Sequence, residues 1–224
     1  MNNRHDHANR KKAVALSAAG LVLVAGATVT SLAAWTDTEW VFGGADGAQS
    51  VGTSSFEVEQ NVTNDTTDPS LWVNRETAPG GQIDFSAEAS SLTPGDTVYA
   101  FVRLRTEAKS DAGELTLNAA VPGDKSSIAL FDALTYQAAV VPDSASCNET
   151  GLATPTQSLV AAGKGLTTGS GTATFKLDAD GATLGAAGEK TVCFALTLPA
   201  THASGDALQG LSATPIWNFT ASSL

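Results

Sequence analysis

Two cysteines, Cys147 and Cys193, are the residues of this 224-residue chain whose side chains are best suited to covalent chemistry. An even number of cysteines outside the cell usually pairs. A bridge between these two would close a loop of about 45 residues and stabilise the fold by about 3–4 kcal/mol through the entropy of the unfolded chain. The alternative is two free thiols buried in apolar surroundings. The pair therefore predicts one disulfide if the chain reaches an oxidising compartment.

Patterns that would indicate catalysis or metal binding do not occur in the sequence. Of the three histidines, only His202 lies beyond the first seven residues, and a single histidine cannot build a zinc site. There is no His-Glu-x-x-His motif, nucleophile elbow or glycine-rich phosphate loop. Residues 178–189 match a calcium loop only in part, because the ligand at position five and the glycine at position six are missing; a hairpin turn fits them better. We expect a non-enzymatic protein with no catalytic residue, metal or cofactor.

The start of the chain carries the pattern of an export signal. Four basic residues precede an uncharged stretch at residues 13–36. Ser31 and Ala33 then place small side chains at positions −3 and −1 of a cut between Ala33 and Ala34. The basic start stays inside the cell, so the body of the chain is delivered outside. A retained anchor is the alternative, since the stretch is long enough to span a bilayer. We predict that residues 1–33 form a cleaved signal helix and that the protein is secreted or held at the cell surface.

Removal of residues 1–33 would make the protein strongly acidic. The full chain has 12 basic and 23 acidic side chains. The signal holds four of the basic residues and one of the acidic residues, so eight and 22 remain, a formal net charge of −14 over 191 residues. Such a surface repels nucleic acid and anionic lipid. We expect neither nucleic acid nor, after cleavage, a membrane as a partner.

Apolar residues recur at every second position in short stretches along the rest of the chain. This alternation is typical of strands with one buried face and one solvated face, and clusters of Gly, Pro, Asp and Ser separate the stretches. We predict an all-β fold over residues 56–224: an antiparallel β-sandwich of jelly-roll or immunoglobulin-like type with about seven to nine strands. One short helix is expected at residues 127–134. The expected strands are 56–59, 98–105, 115–121, 134–140, 173–177, 192–198 and 216–221.

Two segments do not follow the strand pattern. Residues 163–171 are small and predict a loop. Residues 34–55 are rich in Gly, Ser and Thr and predict a flexible N-terminal arm. Few apolar side chains lie in this arm, and they need a site of burial; they are Trp35, Trp40, Val41 and Phe42. The exposed tryptophans of the chain, Trp72 included, are also possible platforms for a sugar, although aromatic residues near strand ends more often pack in a core.

Two motifs resemble a known family. Ala33-Ala34-Trp35-Thr36-Asp37 is similar to signal endings that a SipW-type signal peptidase cuts, where a small residue precedes an aromatic residue, a hydroxyl residue and Asp. Leu92-Thr93-Pro94-Gly95-Asp96 resembles the Leu-x-Pro-Gly-Asp turn of the TasA/camelysin family. Turn formation alone accounts for these residue types. Pro94 presets φ, Gly95 supplies a positive φ, and Asp96 accepts hydrogen bonds from nearby amides.

The resemblance implies a structural protein of the bacterial cell surface or biofilm matrix. It implies a SipW-type signal peptidase as a partner during export. It also implies fibre assembly, in which an N-terminal strand of one subunit completes the sheet of another copy or of a related matrix subunit. Residues 34–55 would be the donor, unless this arm folds back on its own sandwich. A secreted monomeric module that binds carbohydrate or a surface is the alternative function. An extracellular metalloprotease is a third possibility that the missing metal ligands disfavour.

Overall fold

The computed structural model describes residues 54–202 and 206–224. The predicted signal with its Ala33–Ala34 cut, and the predicted donor residues Trp35, Trp40, Val41 and Phe42, lie outside the described residues. The described part contains two helices, α1 (Ile128–Ala133) and α2 (Glu149–Ala153), and ten strands. The strands are β1 (Val58–Asn61), β2 (Thr97–Thr106), β3 (Gly113–Leu117), β4 (Val121–Pro122), β5 (Thr135–Val141), β6 (Gln157–Gly165), β7 (Thr174–Leu177), β8 (Lys190–Thr197), β9 (Pro215–Ile216) and β10 (Phe219–Ser223).

Antiparallel pairing joins all of these strands into three sheets. The largest sheet has five strands in the order β1-β2-β8-β5-β6. A second sheet has three strands in the order β10-β3-β7, and β4 pairs with β9 in a two-stranded ribbon. In the five-stranded sheet β8 pairs with β2 from Thr197↔Thr97 to Lys190↔Leu104 and with β5 along nearly the same length. The all-β class and the antiparallel pairing are therefore confirmed.

The two larger sheets share one hydrophobic core. The alternation of β2 places Val98, Val102 and Leu104 on the buried face, as the sequence predicts. The same core takes side chains from the other strands of both sheets, and a core shared by two sheets is consistent with the predicted sandwich. These side chains include Leu115 and Leu117 of β3, Tyr136, Ala138 and Val140 of β5, Phe175 and Leu177 of β7, and Val192, Phe194 and Leu196 of β8.

The sequence prediction missed β6. Leu159 and Val160 are adjacent and both buried, whereas the next four residues of the strand are exposed, so period-two alternation is lost. The cause is an irregularity in the pairing of β5 with β6, where the register shifts between Tyr136 and Ala138 and again before Ala139. A β-bulge of this kind places consecutive side chains on faces that a regular strand would not give them. The predicted loop at 163–171 therefore begins inside a strand.

The predicted strands 115–121 and 216–221 are each divided into two strands, whereas the predicted short helix is observed. The predicted strand 115–121 is divided into β3 and β4, because β3 ends at Leu117 and Val121 is 56% exposed. The predicted helix at 127–134 is observed as α1, and the Ser127 hydroxyl at its N-cap accepts a hydrogen bond from the N–H of Leu130. The helix α2 was not predicted. It is too short for a recognisable apolar period, and only its Asn148 N-cap indicates it.

We expect truncation of Leu117 to test the shared core. Leu117 is fully buried in β3, so Leu117→Ala should lower the free energy of unfolding by about 2–5 kcal/mol through lost burial and a cavity. Leu184→Ala is the matched control, because Leu184 is 50% exposed and should change the free energy by less than about 0.5 kcal/mol. Urea unfolding with the disulfide intact measures both. Equal effects of the two substitutions would contradict a core between the sheets at this position.

Candidate binding sites beside the disulfide and at the sheet edges

The predicted disulfide between Cys147 and Cys193 is present. The two Cα atoms are 5.2 Å apart, and 46 positions separate the cysteines in the sequence. Cys193 lies on β8 with its side chain on the face opposite the main core, among a small second cluster of apolar residues. The bridge therefore holds the segment after β5 against the outer face of the five-stranded sheet. The buried members of this cluster are Ala139, Val141, Leu152, Cys193 and Ala195, with Tyr99 and Cys147 packed against them.

Two capping side chains direct this segment over the sheet. Asp143 accepts hydrogen bonds from the N–H and hydroxyl of Ser146, both at 2.8 Å, and so closes a short turn after β5. Asn148 accepts a hydrogen bond of 3.0 Å from the N–H of Gly151 and begins α2. At Gly151 a Cβ atom would collide with the carbonyl oxygen of Ser146, so only glycine lets the turn and the helix approach this closely.

A cleft of about 190 Å³ lies between α2 and the outer face of the sheet. The residues that line it come from β5, α2 and β6, which follow one another in sequence, and from β2 and β8, which are distant from them. The outer-face positions of the central strands supply its base, α2 supplies one side and β6 supplies another. The lining residues with polar or aromatic side chains are Thr97, Tyr99, Tyr136, Gln137, Glu149 and Thr197. The ring of Tyr136 belongs to the main core and not to the outer-face cluster.

The polar groups of the cleft are partly engaged with one another. The hydroxyls of Thr97 and Thr197 lie 2.8 Å apart, across the β2–β8 pair. The side-chain amide of Gln137 donates a hydrogen bond of 3.1 Å to the carbonyl of Leu152 and so connects the sheet to α2. Burial raises the pKa of Tyr99, and the nearby Glu149 carboxylate raises it further. The phenol therefore stays protonated at neutral pH and can donate a hydrogen bond.

A buried cation lies on the same face of the sheet, further along β2. Arg103 is 6% exposed, and its guanidinium donates to the Ser144 hydroxyl at 2.7 Å and lies 3.8 Å from the Glu189 carboxylate. Burial raises the pKa of Glu189, against smaller lowering effects of Arg103 and Arg105. Because Glu189 faces this cation, it does not act as the twelfth ligand of a calcium loop. No group of three metal-ligating side chains occurs within residues 54–202 and 206–224.

The segment 178–189 is not the hairpin turn that the sequence favours. The strands on its two sides belong to different sheets, since β7 pairs with β3 and β8 pairs with β2 and β5. Asp180 has a positive φ of 56°, and its carboxylate accepts hydrogen bonds from the N–H of Lys109 and the hydroxyl of Thr183. These bonds lower the pKa of Asp180. The segment is a crossover between sheets, held by backbone hydrogen bonds from Asp180 to Ser110 and from Ala182 to Thr106.

The segment Pro94-Gly95-Asp96 forms a turn immediately before β2. The N–H of Asp96 donates to the carbonyl of Thr93 at 2.9 Å, and Gly95 has a φ of 105°. The Asp96 carboxylate accepts hydrogen bonds from the N–H and the hydroxyl of Thr93, at 2.7 and 2.8 Å, and these lower its pKa. The N–H of Gly95 also donates to the carbonyl of Leu198 just after β8. These contacts align the start of β2 with the end of β8.

Trp72 does not offer a sugar platform. Its ring is 5% exposed, and the Arg105 guanidinium lies 3.9 Å from the ring centroid. Arg105 also pairs with Glu59 at 2.9 Å, so the three side chains close the β1 side of the five-stranded sheet.

His202, the one histidine among the described residues, lies in a short 3₁₀ turn with no hydrogen bond from its side chain to any described residue.

Five of the six sheet edges in the described part of the chain carry features that hinder pairing with another chain. At β1, Gln60 and Val73 exchange two backbone hydrogen bonds of 3.0 Å. The strand β6 has the irregular register and ends at Lys164-Gly165. On β7, the carbonyl of Thr174 accepts a hydrogen bond from the side chain of Gln157, and an exposed lysine follows. The ribbon of β4 and β9 has a proline in each strand.

The outer edge of β10 carries none of these features. Its five residues, Phe-Thr-Ala-Ser-Ser, contain no charge and no proline. Its pairing with β3 is regular over five consecutive positions, from Phe219↔Leu117 to Ser223↔Gly113. Within residues 54–202 and 206–224, β10 pairs with β3 alone. This edge is therefore the one that is best suited to accept another strand.

Comparison of the chain with models of protein families found no match, and comparison with curated proteins found none either. The described residues define an all-β domain of antiparallel sheets with one disulfide. The helices in this part of the chain are too short to cross a membrane. Membership of the TasA/camelysin family and recognition by a SipW-type peptidase stay predictions from the sequence motifs.

Removal of the disulfide should lower the free energy of unfolding. In the chain-entropy view a bridge across this separation stabilises by about 4 kcal/mol. We expect the double variant Cys147→Ser with Cys193→Ser to lose about 2–5 kcal/mol of unfolding free energy, measured by urea unfolding against the oxidised protein. An unchanged unfolding midpoint would show that the bridge does not constrain the unfolded chain.

The geometry of the cleft can be checked through Tyr99. The chain has two tyrosines, and burial raises the pKa of the other, Tyr136, to about 12. In a Tyr136→Phe background, ultraviolet absorbance follows Tyr99 alone. Glu149→Gln should lower the pKa of Tyr99, because the negative charge that opposes formation of the phenolate is removed. Glu88→Gln, a neutralisation of an exposed carboxylate away from the cleft, is the control and should leave this titration unchanged. A Tyr99 pKa insensitive to Glu149→Gln would contradict their proximity.

Proposed function

We propose that this chain is an exported structural protein of the bacterial cell surface or matrix that assembles into fibres by strand addition. In this proposal the N-terminal arm of one subunit pairs with the outer edge of β10 in the next subunit. The observation that carries the proposal is that β10 is a regular, uncharged strand whose outer edge lacks the protective features present at the other edges. Pairing of this kind obtains affinity from backbone hydrogen bonds.

The backbone groups available on β10 follow from its pairing with β3. The N–H of Asn118 donates to the carbonyl of Asn218 at 3.0 Å, and the N–H of Leu224 donates to the carbonyl of Ala112 at 2.9 Å. Hydrogen-bonded and non-hydrogen-bonded pairs alternate along an antiparallel ladder. The residues with even numbers therefore bond to β3, and the backbone groups of Phe219, Ala221 and Ser223 point to the outside. An added strand would pair with these three residues.

Apolar side chains near β10 are only partly buried, and a further strand beside β10 would cover them. The sheet that contains β10 has three strands and lies across the core from a sheet of five. Trp217, just before β10, is only partly buried, with its ring centroid 4.9 Å from that of Phe194 and 6.4 Å from that of Phe85. In an extended arm Trp40 and Phe42 share one face, since side chains alternate along a strand. They would cover this part of the core.

The described start of the chain lies at the same end of the small sheet as the end of β10. The carbonyl of Ser55 accepts a hydrogen bond of 2.8 Å from the N–H of Asp111. The next residue along the chain, Ala112, accepts a hydrogen bond from the N–H of Leu224. The first described residues and the last residues of β10 thus lie at the same end of the small sheet. An arm of this origin can pair with its own subunit or with a neighbour, and the proposal is that it pairs with a neighbour.

Export rests on the signal motif, and the disulfide supports it. The bridge between Cys147 and Cys193 is compatible with an oxidising exterior, where such bonds persist. In this proposal a SipW-type signal peptidase cuts between Ala33 and Ala34 and releases the arm as the new N-terminus. One processing step would then both secrete the protein and create the donor strand.

Deletion of the arm and substitution of the acceptor strand test the proposal together. The mature chain, residues 34–224, should form filaments visible by electron microscopy, and residues 54–224 should stay monomeric by light scattering. Ala221→Pro should abolish filaments because it removes an N–H that points away from β3, while the ladder with β3 is kept. Ala221→Ser, which retains this N–H, should assemble as the parent does.

Monomeric behaviour of both chains would overturn the assembly proposal. Filaments of residues 34–224 that persist in Ala221→Pro would overturn the choice of β10 as the acceptor. Thermal unfolding of Ala221→Pro at the same midpoint as Ala221→Ser confirms that a loss of filaments comes from the edge and not from unfolding.

A further inference from the structure

We propose that the cleft between α2 and the outer face of the five-stranded sheet binds one pyranose ring of a neutral saccharide. Tyr99 provides an aromatic surface, and Gln137 and the threonine pair provide hydrogen bonds to sugar hydroxyls. This inference does not depend on strand addition, because the cleft lies on the large sheet and β10 belongs to the small one. Success or failure of either proposal leaves the other intact.

The charge of the cleft selects against anionic ligands. None of the residues that line it is Lys, Arg or His, whereas Glu149 is exposed at its rim. The Glu149 carboxylate forms no ion pair or hydrogen bond with the described residues, so its charge is not neutralised locally. The negative charge of Glu149 would repel a phosphate, sulfate or uronic acid in the cleft. The ligand class is therefore uncharged or positive, and the other groups of the cleft favour an uncharged one.

The hydrogen-bonding groups match hydroxyls better than they match a charged group. Gln137 uses one N–H on the carbonyl of Leu152, which leaves its carbonyl oxygen and a second N–H available. The Tyr99 phenol donates to no described residue, and the hydroxyls of Thr97 and Thr197 bond only to each other. Each of these groups can both donate and accept, as sugar hydroxyls do. A polyol satisfies such a set without an unpaired buried charge.

The aromatic ring of Tyr99 gives the apolar part of the surface. Tyr99 is partly buried against the small cluster that contains Cys147 and Leu152. The ring combines an apolar body with a polar tip, which suits a ligand with an apolar C–H face and hydroxyls at its rim. A pyranose has this distribution, whereas a nucleobase or an aliphatic ligand lacks the ring of hydroxyls.

The size of the cleft corresponds to one sugar. Its volume is about 190 Å³. This is below the roughly 300–1,000 Å³ of sites for drug-sized ligands. Ala162 and Gly163 line the β6 side of the cleft with small, exposed residues. A saccharide chain could thus place one ring in the cleft and continue past β6.

The side of the cleft formed by α2 is held before any ligand binds. The disulfide and the close contact at Gly151 fix α2 on the sheet. Preorganised groups lose little entropy when a ligand binds. The cleft is therefore a site whose affinity depends on the bridge, although neither cysteine contacts the sugar.

Ring signals of the two tyrosines provide the test. The mature chain, residues 34–224, is labelled with ¹³C in its tyrosine rings and titrated with cellotetraose, maltotetraose and chitotetraose, and with tetragalacturonate as the anionic probe. At least one neutral tetrasaccharide should shift the Tyr99 signals in a saturable manner. The signals of Tyr136 should change much less, because it lines the cleft but its ring is buried in the main core. Tetragalacturonate should produce no saturable shift.

Calorimetric titration of variants separates binding from folding. Tyr99→Ala should weaken the affinity for the neutral sugar at least tenfold, whereas Tyr99→Phe, which keeps the ring and loses one hydroxyl, should weaken it by about two- to fivefold. Gln137→Ala should weaken it by a similar amount to Tyr99→Phe. Retained affinity in Tyr99→Ala, or no shift of Tyr99 with any neutral tetrasaccharide, would overturn the proposal. If Tyr99→Ala fails to fold, the wild-type ring shifts and Tyr99→Phe still decide.

Discussion

The pairing of β8 with both β2 and β5 is the constraint on which the rest of the structure depends. One face of β8 sends Val192, Phe194 and Leu196 into the main core, and the other face carries Cys193 and Ala195. Because side chains alternate along a strand, a shift of one residue in the register of β8 would exchange these two sets. It would bury the cysteine in the core and separate it from Cys147. The core, the disulfide and the base of the cleft are thus set by the same two ladders of hydrogen bonds.

The sequence predicted the parts of the fold that follow from a regular period. The alternation of β2 and β8 identified their buried faces, and the even number of cysteines indicated the disulfide. The strand β6 was missed because a bulge removes its period, and α2 was missed because a helix of five residues has almost no period. The residues of the crossover at 178–189 predict a hairpin, because local turn chemistry carries no information about which sheet the next strand joins.

The cleft could not have been predicted from local motifs. Tyr99, Gln137 and Glu149 come from β2, β5 and α2, and only the strand order brings them together. One signal was nevertheless present in the sequence: Tyr99 occupies the face of β2 opposite the predicted core residues, where an aromatic side chain needs some cover. The segment tied by the disulfide provides that cover in part. A side chain that breaks the expected polarity of a solvated face is the sequence signal that such a cleft leaves.

The proposed assembly edge and the proposed binding cleft lie on different sheets, and this matters for any ordered array of the protein. The β10 edge belongs to the small sheet, and the proposed saccharide cleft belongs to the outer face of the large one. A fibre built through β10 would therefore leave every cleft unobstructed by the joint itself and would repeat it once per subunit along the fibre. Weak single sites that are held at a fixed spacing act on a polymer with a high effective concentration. Modest affinity for one sugar ring would then become firm attachment of a whole filament to a polysaccharide.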